Sequence, residues 1–120
     1  LEVWKMATEI GHRVADLADR IASEGKTSYA DRLRSESLSI SSILAAGSAY
    51  PTKLEFSEFV GRARAATLEL ANLIIFFAER ELLSEAEEAE LVNMLKRESK
   101  MLDNFRQSLE RAERSEAAVA

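Results

Sequence analysis

The feature that most constrains the fold is an apolar run from Leu70 to Ala78, in which Asn72 is the one polar residue. Helical periodicity continues on both sides, so the run belongs to a long helix that is apolar on almost every side. An ordinary surface helix has one apolar stripe, whereas a helix that is apolar all round must be covered on more than one flank. A chain of 120 residues has few elements for that task, so we expect neighbouring copies to provide the cover.

The composition is that of one helical domain. Of the 120 residues, 47% are hydrophobic and 31% are charged, with four glycines and one proline. This favours long helices around a modest core. The formal charge of −5 disfavours DNA or RNA as a partner of the whole surface. The chain has no cysteine and its start does not resemble a signal peptide. The apolar run is also shorter than the ~20 residues of a membrane span, so we expect a cytoplasmic protein without membrane contact.

Two helices are predicted before the proline. The first spans about residues 2–24, because apolar side chains recur at alternating steps of three and four, and Gly25 is placed to stop it. The second spans about 28–48, with Thr27 or Ser28 as its cap. It ends before Pro51, because a residue preceding proline is disfavoured in helical geometry.

Two longer helices follow the proline. Thr52 with Glu55, and Ser84 with Glu87, have the spacing of capping boxes, which open helices at about 52–82 and 84–112. Residues 113–120 are expected to fray, since nothing there needs burial. Short connections make consecutive helices antiparallel. The predicted fold is therefore all-α, an antiparallel up-down-up-down four-helix bundle in a single domain over residues 1–120.

The helix lengths and a second apolar stripe together predict a homo-oligomer. At ~1.5 Å per residue, the longer third and fourth helices would overhang the first two by ~15 Å, at the hairpin near Ser84. An exposed apolar patch of this kind is typical of an interface. An alternative is that the first two helices extend or bend and bury the third. The predicted interface residues are Leu68, Ala71, Ile75, Phe76, Ala78, Leu82 and Leu83.

Glu9 and His12 have the Glu-x-x-His spacing of di-metal helical bundles. The apolar seam of the first helix passes through Ala7, Ile10 and Val14, which leaves His12 on the solvent side, and the chain has no second histidine. We therefore interpret His12 as a surface residue and predict neither a metal nor another cofactor.

Glu36 and Glu98 lie on or beside the predicted seams of their helices. A buried carboxylate is costly unless an arginine or a cation pairs with it, so either burial with a partner or a shifted register is compatible with the pattern. We favour the shifted register and expect both side chains to be half exposed. Neither supports a catalytic role, and we predict no catalytic residue.

Other polar residues have plain structural interpretations. The second helix is rich in serine, but no histidine or lysine is placed to activate a hydroxyl, so we interpret the serines as packing residues. Basic residues are interleaved with acidic ones, which is typical of a solvated surface. The residues that would form a local basic patch are Arg32, Arg34, Lys53, Arg62 and Arg64.

Several short motifs, taken in order over Leu1 to Leu109, resemble one family. They are Leu1-Glu2-Val3-Trp4 and Ala7, Ser39-Ile40, Ala45-x-Gly47, Glu55-Phe56, Phe59, Ala63-Arg64, Glu69-Leu70, Lys100-Met101-Leu102 and Ser108-Leu109. Their order is similar to that of the 23S rRNA intervening-sequence (S23) four-helix-bundle proteins. These are relatives of the accessory variability determinant of diversity-generating retroelements.

The resemblance implies a ring-shaped homopentamer, and in the retroelement relatives a basic surface that binds a reverse transcriptase and nucleic acid. The family usually has a Ser-Ile-Pro-Ser-Asn-Ile-Ala-Glu-Gly run, in which Ser41, Ile43 and Ala46 here replace the proline, asparagine and glutamate. We carry over the bundle and the pentamer to this acidic chain, and not the nucleic-acid binding.

Three functions follow from these expectations. The first is a non-enzymatic, self-assembling scaffold or adaptor that binds an unidentified macromolecular partner. The second is a nucleic-acid or ribonucleoprotein accessory factor that acts through a local basic patch. The third, and the one least supported by the residues, is a metal-dependent bundle enzyme.

Overall fold

The computed structural model describes residues 1–119 as four α-helices with no strand among them. These are α1 (Glu2–Ser23), α2 (Thr27–Ser48), α3 (Lys53–Glu79) and α4 (Glu85–Val119). The prediction of an all-α chain with four helices is confirmed. Each helix contacts the next, and α1 also contacts α4, so the four helices enclose one core. The contact between α1 and α4 is the least extensive of the four.

The connection between α1 and α2 has three residues, Glu24 to Lys26, and begins one residue earlier than the sequence predicts. Gly25 has φ 84°, a left-handed conformation that suits glycine, and it stops α1 as expected. The cap of α2 is Lys26, which makes no side-chain capping bond, so the prediction of a cap at Thr27 or Ser28 is wrong. The reason is that α1 ends one residue earlier than predicted, at Ser23, and the backbone N–H of Lys26 donates to Ile21 O at 3.1 Å. Thr27 is therefore already helical.

Helix α3 begins as predicted and ends earlier. The Thr52 hydroxyl accepts from the Glu55 N–H at 3.1 Å and donates to the Glu55 carboxylate at 2.9 Å. The helix ends at Glu79 rather than at residue 82, because Glu81 adopts a left-handed φ of 63°. The Leu82 N–H then donates back to Phe77 O at 3.0 Å, which folds the chain toward the core.

Helix α4 begins at the predicted capping box and runs longer than predicted. The Ser84 hydroxyl accepts from the Glu87 N–H at 3.1 Å, and the Glu87 carboxylate accepts from the Ser84 N–H at 2.8 Å. Residues 113–119, which we expected to fray, are helical. The segment is rich in alanine and glutamate, which favour helices, and Glu116 forms an ion pair with Lys53. Ala120, the last residue of the predicted tail, lies outside the described residues.

The overhang of the long helices is at the opposite end from the predicted one. At the α3–α4 turn, Arg20 of α1 donates to Leu82 O at 3.2 Å, and Tyr29 of α2 packs edge-on against Phe77. The α1–α2 turn therefore reaches the same level and covers this end. The pairs Arg13 with Glu90 and Arg20 with Glu87 show how α1 lies along α4, and this register leaves about 15 residues of α4 beyond the start of α1. The molecule is accordingly elongated, with principal extents of 59 × 23 × 18 Å.

The core is aliphatic and contains close backbone approaches between helices. A Cβ added at Gly11 of α1 would lie 2.7 Å from the backbone oxygen of Ser37 on α2. A Cβ at Gly47 would overlap the side chain of Phe59 on α3. The hydroxyl of Ser37 donates to Arg34 O at 2.7 Å, so it adds no unpaired polar group at this contact. The packing interpretation of this serine therefore agrees with its position.

Candidate oligomer interface on the third helix

The second half of α3 carries, on its outer face, three large apolar side chains that the protomer does not cover. Leu68, Ile75 and Phe76 are 49%, 41% and 51% exposed. Leu68 and Ile75 are seven residues apart and lie on the same side of the helix, and Phe76 is the next residue along. We call these three residues the outer α3 stripe. The opposite side of α3 is buried in the core, so this helix has two apolar faces.

The other predicted interface residues are less accessible. Ala71 and Ala78 are partly buried and pack against the core. Leu82 and Leu83 are 8% and 7% exposed, so they do not form the exposed patch that we placed at the α3–α4 hairpin. The early end of α3 and the backward turn at Glu81 direct both side chains inward. The accessible part of the predicted interface is the outer α3 stripe.

Two shallow grooves flank the outer α3 stripe. Leu68 borders a groove toward α2, which Arg32, Glu69 and Asn72 also line. Ile75 borders a groove toward α4, which Val92 and several acidic, amide and lysine side chains also line. Both grooves combine apolar with polar side chains, as protein–protein interfaces do.

The five residues of the predicted basic patch are distributed along the molecule. Arg32 lies beside the α2–α3 groove, whereas Lys53 is the first residue of α3, near the other end. Arg32 forms an ion pair with Glu36 at 3.2 Å. Arg34 pairs with Asp19 at 2.8 Å, and Lys53 pairs with Glu116. The guanidinium of Arg62 lies 4.9 Å from the ring centroid of Phe59, and Arg64 is exposed. Of these five basic side chains, three form ion pairs within the protomer and Arg62 lies over an aromatic ring.

Glu98 is the polar residue that sequence reasoning misplaced. Its side chain is fully buried, and neither carboxylate oxygen has a hydrogen-bond partner among the described residues. Burial raises the pKa of Glu98 to about 8. The signal was present in the sequence, because Glu98 continues the four-three spacing of Leu91, Leu95 and Leu102. Glu36, by contrast, is partly exposed and paired with Arg32.

The Glu9 and His12 motif of α1 lies on the surface and does not form an enclosed site. His12 is exposed, as expected from its position off the apolar seam. It borders a shallow groove between α1 and α2 with Gly11, Ser37 and Leu38. Within residues 1–119, no three histidine, aspartate or glutamate side chains are grouped so that they could hold a metal ion. None of the four described helices is long and apolar enough to cross a membrane.

The fold and its surface define a small all-α protein of four helices with an uncovered apolar face. Residues 1–104 match the family model described as 23S rRNA-intervening sequence protein, and the chain belongs to this family. The match covers most of the chain and agrees with the resemblance in its short motifs. No curated protein and no solved structure matches the chain.

Proposed function

We propose that this protein is a non-enzymatic scaffold whose protomers, antiparallel up-down-up-down bundles, assemble through the outer α3 stripe and present their charged surface to a macromolecular partner. The observation that carries the proposal is the exposure of Leu68, Ile75 and Phe76 on one face of a helix. Full burial of an exposed leucine, isoleucine or phenylalanine side chain gains ~1.5–3 kcal/mol, and these half-exposed side chains forgo about half of that gain. A second copy that covers the stripe recovers part of this free energy.

The antiparallel arrangement is supported by the order of contacts along neighbouring helices. Asp19 near the end of α1 pairs with Arg34 in the first half of α2. Tyr29 at the start of α2 packs on Phe77 at the end of α3, and Lys53 at the start of α3 pairs with Glu116 at the end of α4. In each case the end of one helix meets the opposite end of the next.

The assembly that we propose is a ring-shaped homopentamer, as the family resemblance implies. A ring of five copies needs a heterologous contact, in which one surface of a protomer docks on a different surface of its neighbour. The outer α3 stripe supplies one of these surfaces. A stable contact of this kind buries roughly 1,000 Å² or more, so the two grooves that flank the stripe would form part of it.

Charge substitutions on the outer α3 stripe test the proposal. We expect Ile75→Glu and Phe76→Glu each to dissociate the assembly, because each would bury an unpaired carboxylate in the interface. A cost of ~3 kcal/mol raises the dissociation constant roughly 100-fold. The measurement is the mass in solution by light scattering, together with native mass spectrometry to count subunits.

Leu38→Glu on α2 is the matched control, because it makes the same kind of change at a side chain that is 66% exposed. A wild-type protein that is monomeric at micromolar concentration would contradict the proposal. An assembly that Leu38→Glu dissociates and both α3 variants leave intact would contradict it equally, because the contact would then lie on another face. Helical circular dichroism should be unchanged in all variants.

The description of the family raises an alternative role as a ribonucleoprotein accessory factor. Its physical basis would be the exposed Arg62 and Arg64 of α3, since Arg32, Arg34 and Lys53 are paired with acidic side chains. Titration with structured RNA at low salt tests this role, because phosphate contacts are strongest there. Binding that weakens with salt and is lost in Arg62→Ala/Arg64→Ala would favour this role over a scaffold for proteins.

A further inference from the structure

Glu98 places a carboxyl group in the core, and neither the assembly nor the family match accounts for it. The residue is in the middle of α4, on the face that carries Leu91, Leu95 and Leu102 into the core. Its side chain has no exposed surface, and no described residue forms a hydrogen bond with either oxygen. An ionised carboxylate in such surroundings would cost several kcal/mol, far more than the uncharged acid.

The three other helices offer no countercharge. The buried residues of α1 are all apolar or glycine, and those of α2 and α3 include no ionisable side chain in the described part of the chain. The nearest titratable pair along α4 that is not fully exposed is Asp103 with Arg106, and these two bind each other at 2.8 Å. On α2, Arg34 and Glu36 are held by Asp19 and Arg32.

The buried hydroxyl groups of α2 and α3 are committed as donors within their own helices. Ser37, Ser57 and Thr67 are buried on α2 and α3, and each donates its proton to a carbonyl of its own helix, at 2.7, 2.6 and 2.8 Å. A carboxylate accepts hydrogen bonds and cannot donate one, so these groups have no proton left for it. A protonated carboxyl group needs less solvation and is the form that this core tolerates.

We infer that Glu98 is a proton-binding site built into the core, neutral in the folded protein, and that release of its proton loosens the bundle. The site would make the stability of the fold decrease as the pH rises from acidic to neutral values. Burial, the only cause acting on this residue, raises its pKa to about 8, which agrees with the neutral form at pH 7.

The direction of the pH dependence follows from the two states. An unfolded glutamate has a pKa of about 4.3, so between that value and about 8 the folded protein holds a proton that the unfolded chain has lost. The contribution of protonated Glu98 to the free energy of unfolding is therefore fully present below pH ~4.3, and it is lost as the pH rises through this window. Within the window the unfolding equilibrium constant increases up to about tenfold per pH unit, and the effect levels off above the folded pKa.

The first experiment compares urea unfolding of the wild type, Glu98→Gln and Glu58→Gln at pH 5, 6, 7 and 8, at one protein concentration. Glu58→Gln is the matched control, because it makes the same chemical change at an exposed site on α3. Between pH 5 and pH 7, the unfolding constant of the wild type should rise up to about 100-fold more than that of Glu98→Gln. Glu58→Gln should follow the wild type. Parallel curves for the wild type and Glu98→Gln would overturn the inference.

The second experiment observes the proton directly and needs no variant to fold. In the wild-type protein, the side-chain carboxyl ¹³C resonance of Glu98 should titrate with a midpoint near pH 8. The reference is the side chain of a free glutamate, with a pKa of about 4.3. A Glu98 midpoint close to that reference would show that the group ionises normally, and the inference would fail. Both readouts are independent of the subunit number and of the proposed scaffold role.

Discussion

The first and second halves of the chain solve the packing problem differently. Helices α1 and α2 have 22 residues each and approach closely where Gly11 lies against the backbone of Ser37. Helices α3 and α4 have 27 and 35 residues and pack through larger side chains, including Phe56 and Phe105, whose rings meet edge-on. The second half also carries the outer α3 stripe, the buried Glu98 and the overhang. The first half of the chain therefore contributes mainly close helix packing, and the second half carries the features on which the functional proposals rest.

The largest effect should come from filling the close approach in the first half. Gly11→Ala adds a methyl group 2.7 Å from Ser37 O, a backbone atom that cannot rotate away. We expect a loss of about 1–3 kcal/mol in the free energy of unfolding, because an overpacked contact forces the helices apart. Urea unfolding measures it. Stability equal to or above that of the wild type would show that the two halves do not differ in closeness of packing.

The same substitution in the second half should have a smaller effect of opposite sign. A Cβ at Gly61 of α3 would lie 3.7 Å from Cδ of Arg106, an ordinary contact distance. Alanine also favours a helix over glycine, so Gly61→Ala should raise the free energy of unfolding by about 0.5–1 kcal/mol. A thermal melt followed by circular dichroism measures this gain. A loss similar to that of Gly11→Ala would mean that α3 and α4 are packed as closely as α1 and α2.

The smallest effect should come from shortening the overhang. Deletion of residues 114–120 removes exposed side chains and the ion pair of Lys53 with Glu116. Surface ion pairs contribute roughly 0–1 kcal/mol, so the melting temperature should change by only a few degrees. Differential scanning calorimetry measures the change. A cooperative loss of the remaining structure would show that the overhang stabilises the core, contrary to its exposed position.

Sequence patterns predicted the parts of the fold that local chemistry decides. The seam of α1, the stop at Gly25 and the capping boxes at Thr52 and Ser84 all depend on residues within one or two turns. The direction of Leu82 and Leu83 could not be predicted in this way, because it depends on the left-handed conformation of Glu81, a residue that rarely adopts one.

The sequence predicted part of the candidate interface and missed the burial of Glu98, because some of these features depend on contacts between distant segments. Leu68, Ile75 and Phe76 are exposed as the two-faced pattern of α3 suggested. The location of the overhang depends on the register between α1 and α4, seen in the pair of Arg20 with Glu87, and helix lengths alone do not determine that register. At Glu98, the periodicity pointed to the core, and the general expectation that carboxylates are exposed pointed away from it. The periodicity was the better guide.

The length of α4 makes the two ends of the protomer different, and this difference would carry over to the proposed assembly. About 15 residues at its carboxyl end continue past the start of α1, accompanied by the first turns of α3. In the ring that we propose, helices that run along the cyclic axis would all point the same way, so all of these ends would emerge from one rim. Such a ring would have two unlike faces, one carrying the projecting ends of α3 and α4 and one formed by the short turns, and a partner would meet them as different surfaces.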